Sequence, residues 1–228
     1  LKADNSKLVK VGSSESMSKS KKNTIDPENI ISIYGADAAR LFILSDSPPE
    51  KDVQWSEEGI SSSFKFVQKL WNLNEKITEQ INQNHKEDTD EELLKYTNKY
   101  LKKVTENLEN FSYNKIVANL HEMYSQLTKL INKSYKKETL TENYQKILVS
   151  MQPILPHFSN ECLQLMDLKN FKWPDYDDKL TKEDKINLVV QVNGKKRALI
   201  PLDPDKAEEE ILEITKKDKQ IAKYLQNN

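Results

Sequence analysis

Apolar residues recur at helical spacing through most of residues 57–167, and this pattern restricts the fold more than any other feature of the chain. A helix with one apolar side must bury that side, so neighbouring striped helices pack against one another. Polar or proline-containing breaks separate the striped segments, among them residues 82–88 and the pair Pro153 and Pro156. The stripe residues are therefore core positions and not cofactor contacts, and they predict an antiparallel helical bundle.

Helix-start signals predict where the helices of the bundle begin. Ser56 precedes two glutamates, Ser112 precedes a striped segment, and Thr89 and Thr139 each have a glutamate three residues later, as in a capping box. Pro156 suits the first turn of the last helix, where the missing N–H has no partner to lose.

A small stem segment is predicted upstream of the bundle. Asp26 and Pro27 form a strong start signal for a short helix that ends at Gly35, since glycine suits the left-handed conformation that commonly follows a helix. Asp37 is predicted to cap the next helix. A short strand predicted within residues 8–11 makes this stem α/β.

The pattern changes to period two towards the C-terminal end. Residues 186–192 alternate in apolar character, Asn193-Gly194 is the two-residue signal for a type I′ hairpin turn, and residues 195–202 supply the return strand. Two helices follow, the first capped at Asp203. The pattern predicts a small α+β domain with a β-hairpin.

The chain is therefore predicted to be mainly α and to have three parts. Residues 1–56 hold a loop and the stem segment, residues 57–172 the helical bundle, and residues 173–228 a linker and the small α+β domain.

Composition limits the classes of function. The net charge is −1 and the mean hydropathy −0.78, so any nucleic-acid surface must come from local patches rather than from an overall basic charge. No apolar run is long enough to span a membrane, and no secretory signal is visible. The single Cys162 favours a reducing compartment, the cytoplasm. His85, His121 and His157 lie far apart, so no metal site is predicted.

Residues 16–22 form a short polar stretch rich in serine and lysine. It carries Lys19, Lys21 and Lys22 and leads into the helix-start signal at Asp26. A basic loop that precedes a helix N-terminus can bind a polyphosphate. A solvated basic linker is the alternative that composition alone favours.

The same stretch resembles the KMSKS signature of class I aminoacyl-tRNA synthetases. Residues 17–20 (Met-Ser-Lys-Ser) match its last four letters, and Ser16 stands where the signature has its first lysine. Residues 21–28, 34–42 and 47–55 continue the similarity to leucyl-tRNA synthetase in the right order. The resemblance makes the first part the end of a catalytic domain and the bundle one of the anticodon-binding-domain type.

The resemblance implies a two-step reaction that joins leucine to tRNA(Leu). ATP, expected with Mg²⁺, activates leucine, and the adenylate is then passed to the tRNA. Lys19 is the implied catalytic residue, since it matches the second lysine of the signature and can stabilise charge on the leaving pyrophosphate. Ser16, Met17, Ser18 and Ser20 complete the implied ATP-binding loop.

No His-x-Gly-His string of the kind that this family uses to bind nucleotide occurs in the 228 residues, and the chain opens at Leu1 in a loop-like stretch. We therefore expect a piece of a longer, monomeric ligase that meets ATP and leucine through a preceding half. By itself the chain is expected to be inactive.

Residues 192–195 (Val-Asn-Gly-Lys) resemble a run in the C-terminal domain of leucyl enzymes, which contacts the tRNA. That domain continues with a further strand in the family, so it is expected to be truncated here. Lys195, Lys196 and Arg197 form a compact basic cluster on the hairpin and are the candidate tRNA-binding residues. An RNA phosphate contact and an ordinary charged hairpin are equally consistent with this cluster.

Two alternatives stay open. In the first, the chain is a non-catalytic tRNA- or RNA-binding helical module that keeps a decayed signature loop. In the second, it belongs to a valyl, isoleucyl or methionyl enzyme, in which the same kind of loop also precedes a helical bundle. Residues 47–52 and the Asn193-Gly194 hairpin favour the leucyl enzyme.

Overall fold

The computed structural model describes residues 12–45, 48, 50–83, 90–168, 172–182, 186–202 and 206–225. The chain divides into two compact units, Leu1–Tyr176 and Asp177–Asn228. Within the described ranges, no helix is both long and apolar enough to cross a membrane. The strand predicted within residues 8–11 lies outside the described residues.

Two short helices open the first unit, α1 (Pro27–Tyr34) and α2 (Ala36–Ser45). The predicted start and end of α1 are confirmed: the Asp26 carboxylate accepts a hydrogen bond from Glu28 N at 3.0 Å, and Gly35 follows with a φ of 81°. Ile30 and Tyr34 pack on a small core formed by α2 and the following helix. The stem is therefore fixed to the bundle by apolar contacts.

Five helices form the bundle: α3 (Glu57–Asn82), α4 (Glu91–Glu109), α5 (Tyr113–Leu130), α6 (Lys137–Met151) and α7 (Pro156–Leu165). Their apolar stripes meet in one continuous core, so the predicted helical bundle is confirmed. Fully buried members of this core include Leu101, Val104, Ile116, Leu120, Ile147 and Leu148.

The predicted helix starts have mixed outcomes. Ser56 caps α3 as expected, with its hydroxyl accepting from Gly59 N at 3.1 Å. Ser112 occupies the N-cap of α5 but makes no side-chain bond there. The capping box at Thr139 is wrong, because α6 begins two residues earlier and the Thr139 hydroxyl donates instead to Asp90 Oδ2 at 3.1 Å. Thr89 lies outside the described residues.

The second unit contains α8 (Asp178–Thr181), the strands β1 (Ile186–Val192) and β2 (Lys195–Leu202), α9 (Glu208–Lys217) and α10 (Lys219–Leu225). The predicted hairpin is confirmed: Asn193 and Gly194 have φ values of 53° and 74°, and both turn residues of a type I′ turn need positive φ. Ala198, Ile200, Leu202 and Ile221 form the core of this unit.

The predicted cap at Asp203 also lies outside the described residues, and α9 begins only at Glu208, with Ala207 at its N-cap. The first turn of α9 holds three glutamates, which are favourable at the positive end of a helix. The helix therefore starts at its acidic cluster rather than at the aspartate-proline pair.

Candidate functional site

The backbone of the serine- and lysine-rich loop folds into two overlapping turns. Lys21 N donates to Ser18 O at 3.1 Å, and Lys22 N donates to Lys19 O at 3.2 Å. Lys22 has a φ of 52°, in the left-handed region that reverses the chain. Residues 18–22 therefore form a compact reversal that presents its side chains to solvent.

Asn23 holds both ends of this reversal. Its Oδ1 accepts from Ser18 N at 2.8 Å, and its Nδ2 donates to Ser16 O at 3.3 Å. The hydroxyls of Ser18 and Ser20 lie 3.2 Å apart, within hydrogen-bond distance. Sequence analysis missed Asn23, although an asparagine beside a turn commonly bonds to nearby backbone groups. The predicted loop residues are thus brought together by an amide that was not predicted.

The loop lysines differ in their partners. Lys21 Nζ forms an ion pair with Glu15 at 2.9 Å. In the part of the chain that the structure describes, the exposed side chains of Lys19 and Lys22 have no ion-pair partner. Lys19, the predicted catalytic residue, therefore lies on a defined turn, and its exposed ammonium group pairs with no carboxylate among the described residues.

Met17 anchors the loop on its apolar side. Its side chain is 47% exposed and lines an open hollow of about 520 Å³ together with Ile25, Ile31, Ile43 and Trp55. The hollow continues onto the surfaces of α1 and α2, so the loop and its stem share one apolar surface.

Asp37 does not cap its own helix, and that prediction is wrong. Helix α2 begins at Ala36, so Asp37 lies in its first turn, where it is 7% exposed. Its carboxylate instead accepts from the backbone N–H groups of His157, at 3.2 Å, and Phe158, at 2.6 Å. These belong to the first turn of α7, whose N–H groups have no partner within their own helix.

Arg40 lies one turn further along α2 and contacts the chain just before α7. Its Nη2 donates to Pro153 O at 2.7 Å, and its Nε donates to Ile154 O at 3.2 Å. Asp37 and Arg40 therefore hold the two sides of the connection between α6 and α7, one through N–H groups and the other through carbonyl groups.

The basic residues of the hairpin separate into two groups. Lys195 and Lys196 are exposed beside the turn. Gln191 pairs with Lys196 and Val190 with Ala198, so Arg197 is the extra residue of a β-bulge. Its guanidinium carbon lies 4.3 Å from the centroid of the Tyr224 ring, and its Nη1 donates to Tyr224 Oη at 3.2 Å. The tRNA contact assigned to all three residues stays a prediction.

Among the residues that the structure describes, no group of three or more histidine, cysteine, aspartate or glutamate side chains could hold a metal ion. Cys162 is fully buried, and that burial raises the pKa of its thiol to about 12. A protonated, inaccessible thiol is neither a metal ligand nor a nucleophile.

Comparison with known families gives two matches. Residues 90–213 match the family model of the anticodon-binding domain of tRNA ligase, and residues 5–56 match that of class I tRNA synthetases (I, L, M and V). The first match covers more than half of the chain, and the second contains the loop with Lys19.

The chain is also similar to curated leucine–tRNA ligases. It is 37% identical over 223 residues to that of Orientia tsutsugamushi, covering 95% of this chain and 26% of the relative. It is 40% identical over 216 residues to that of Bartonella bacilliformis, covering 88% of this chain and 25% of the relative. The chain thus spans about a quarter of the length of these relatives.

A solved structure supports the fold. It is the crystal structure of a ternary complex of Agrobacterium radiobacter LeuRS, tRNA and LeuAMS, and it superposes with a TM-score of 0.76 at 22% identity. The superposition covers 92% of this chain and 29% of that chain. At this identity the likeness bears on the fold alone.

Proposed function

We propose that this chain, which belongs to the anticodon-binding-domain family of tRNA ligases, is part of a leucine–tRNA ligase and supplies its pyrophosphate-binding loop and a tRNA-binding bundle. The proposal is supported by the similarity of this chain, over nearly its whole length, to leucine–tRNA ligases. The observation that carries it is the exposed Lys19, which has no ion-pair partner among the described residues and lies on a turn that Asn23 holds in shape.

The chemistry of the first step explains why such a lysine is needed. The leucine carboxylate attacks the α-phosphorus of ATP, the bond to the bridging oxygen breaks, and negative charge builds on the leaving pyrophosphate. Lys19 stabilises that charge when the loop closes over the phosphates. Because the interaction strengthens as the charge develops, it raises the rate more than it tightens binding.

In this proposal the loop takes its shape from Ser16, Met17, Ser18 and Ser20. Ser18 and Ser20 supply hydroxyls on the reversal, Ser16 supplies the carbonyl that Asn23 holds, and Met17 seats the loop on the apolar hollow. Mg²⁺ would enter with the ATP phosphates. The described residues offer no group of three or more histidine, cysteine, aspartate or glutamate side chains for it.

The partner we propose for the bundle and the second unit is tRNA(Leu). The net charge of −1 means that contact is local, and the exposed Lys195 and Lys196 are the candidates on the hairpin. We propose a monomeric, cytoplasmic ligase. The 228-residue chain alone is expected to show no leucine-dependent ATP–pyrophosphate exchange, because it contains no His-x-Gly-His string.

The test uses the full-length ligase that contains this chain. Lys19→Ala should lower the kcat of leucine-dependent ATP–pyrophosphate exchange by about 100-fold, the size of effect seen when one donor to a developing anion is removed. The KM for leucine should change less than about threefold, since Lys19 is proposed to act on the leaving pyrophosphate rather than on leucine. Lys21→Ala is the matched control, because Lys21 is engaged by Glu15, and it should retain most of the activity.

An unchanged exchange rate in Lys19→Ala would remove the loop from the chemistry. If the unsubstituted full-length protein instead binds tRNA but shows no leucine-dependent ATP–pyrophosphate exchange, the non-catalytic RNA-binding module is favoured.

A further inference from the structure

We propose that Asp37 and Arg40 are positioning residues for the loop that carries Lys19, because they hold the stem of that loop at a fixed place on the helical bundle. This inference rests on the proposed function, since it assigns what the two residues do for a loop that acts on ATP.

Asp37 supplies the first point of attachment. It is 7% exposed, and a buried carboxylate is costly unless it is hydrogen-bonded. Its two oxygens take the backbone N–H groups of His157 and Phe158, at 3.2 and 2.6 Å, at the positive end of α7. Because the partners are backbone groups of the first turn, the bond defines where the end of α7 lies relative to α2.

Arg40 supplies the second point of attachment, where it donates hydrogen bonds to carbonyl groups, whereas Asp37 accepts them from N–H groups. Residues three apart on a helix share one side, so Arg40 faces the same connection as Asp37. It donates to Pro153 O and Ile154 O, at 2.7 and 3.2 Å. A shift of α2 along the bundle would break the hydrogen bonds at both points together. The pair therefore fixes where α2 lies on the bundle, besides stabilising the fold.

The stem connects this attachment to the loop. Tyr34 and Ile30 of α1 pack on the small core that Ala38 and Phe42 of α2 form with Ile60 of α3, so apolar contacts join α1 to α2. Asp26 caps α1, and it lies three residues after Asn23, which holds the loop. A group that stabilises a transition state must be held to within about 0.5 Å, so loosening α2 should lower the rate although Lys19 is intact.

The test is a double-mutant cycle in the full-length ligase. Asp37→Asn keeps the size of the side chain but removes its charge. It should lower the kcat of leucine-dependent ATP–pyrophosphate exchange about tenfold when Lys19 is present, since small misplacements cost this much or more. In the Lys19→Ala background it should lower the rate less than about twofold, because the side chain that the stem is proposed to position is absent.

Tyr144→Phe is the matched control. It breaks another buried hydrogen bond of the same unit, between Tyr144 of α6 and Asn74 of α3, and neither residue lies in the stem. Any loss it causes should be the same in both backgrounds. If Asp37→Asn does not fold, Arg40→Gln serves for the same comparison, since the Arg40 side chain is exposed whereas that of Asp37 is buried.

Equal losses for Asp37→Asn and Arg40→Gln with and without Lys19 would overturn this assignment and leave the proposed function standing. Full activity of the Lys19→Ala ligase would instead overturn the proposed function itself. A loss confined to the background with Lys19 supports both.

Discussion

The ring of Phe42 lies directly against the backbone of Gly59, where a Cβ on residue 59 would come within 2.5 Å of Phe42 Cε2 and 2.9 Å of Cδ2. Phe42 is 6% exposed, and its ring packs edge-on against Trp55 with the centroids 5.3 Å apart. The ring therefore has little room to move. The missing side chain at position 59 allows α2 to approach α3 closely.

Gly59→Ala should destabilise the chain by about 1–3 kcal/mol, the usual cost of overpacking a core. The substitution also improves helix propensity by about 1 kcal/mol, so any net loss shows that the clash outweighs it. The measurement is the melting temperature by circular dichroism, with an expected decrease of about 2–4 °C for each kcal/mol. Gly12→Ala is the control, because no heavy atom lies within 4 Å of its Cβ position. An unchanged Gly59→Ala melting temperature would mean that Phe42 relaxes.

Tyr144→Phe should cost about 1–3 kcal/mol in the free energy of unfolding. The Tyr144 hydroxyl donates to Asn74 Oδ1 at 2.9 Å, both residues are buried, and the substitution leaves the asparagine oxygen unpaired. Urea denaturation followed by tryptophan fluorescence measures the change. Tyr124→Phe, in a half-buried tyrosine that packs on Phe66, should shift the midpoint much less. Equal midpoints for the two variants would contradict the role of the bond.

Cys162 should react with thiol reagents only when the chain unfolds. Burial raises the pKa of the thiol to about 12, while an unfolded cysteine titrates near about 8.5. The unfolded state therefore loses its proton first, and the contribution of this group to stability is lost as the pH rises from about 8.5 towards 12. Because the chain has a single cysteine, Ellman's reagent at pH 8 gives a clean rate with and without guanidinium chloride. Rapid reaction of the native chain would show that the site is open.

Substitutions on the hairpin should have different effects on tRNA binding by this chain. The double substitution of Lys195 and Lys196 by alanine should weaken tRNA binding. It should also reduce the slope of log Kd against log salt concentration by about 1–2, as expected for two lost phosphate contacts. Arg197→Ala should instead lower the melting temperature of the second unit, since it removes the stacking on Tyr224. A salt slope unchanged by the two lysine substitutions would mean that the hairpin is only a charged surface.

Sequence signals predicted helix ends well where the partner is local. Asp26 and Ser56 bond to N–H groups two and three residues away, and both caps are confirmed. Asp37 has the same local pattern, but its partners lie 120 and 121 residues further along the chain. A local pattern contains no information about which distant helix end will need an acceptor. The Thr139 prediction also failed through a distant partner, since the Thr139 hydroxyl donates to Asp90, 49 residues earlier in the chain.

The signature residues located the candidate loop in the sequence, but the geometry of the loop became visible only in the structure. Asn23 follows the signature and still determines the shape of the reversal. Arg197 was grouped with its lysine neighbours because they are adjacent in sequence. The structure separates it from them, because Arg197 is the extra residue of a bulge and its guanidinium contacts Tyr224, and a bulge depends on how two strands pair rather than on either strand alone.

The attachment of α2 to α7 also has a consequence for the order of folding. During synthesis, α2 leaves the ribosome more than a hundred residues before the carbonyl and N–H groups that Asp37 and Arg40 require. Until then the aspartate has no helix end to accept from, so the stem and its loop cannot take their final position. The element nearest the proposed chemistry is thus made well before the groups that fix it in place.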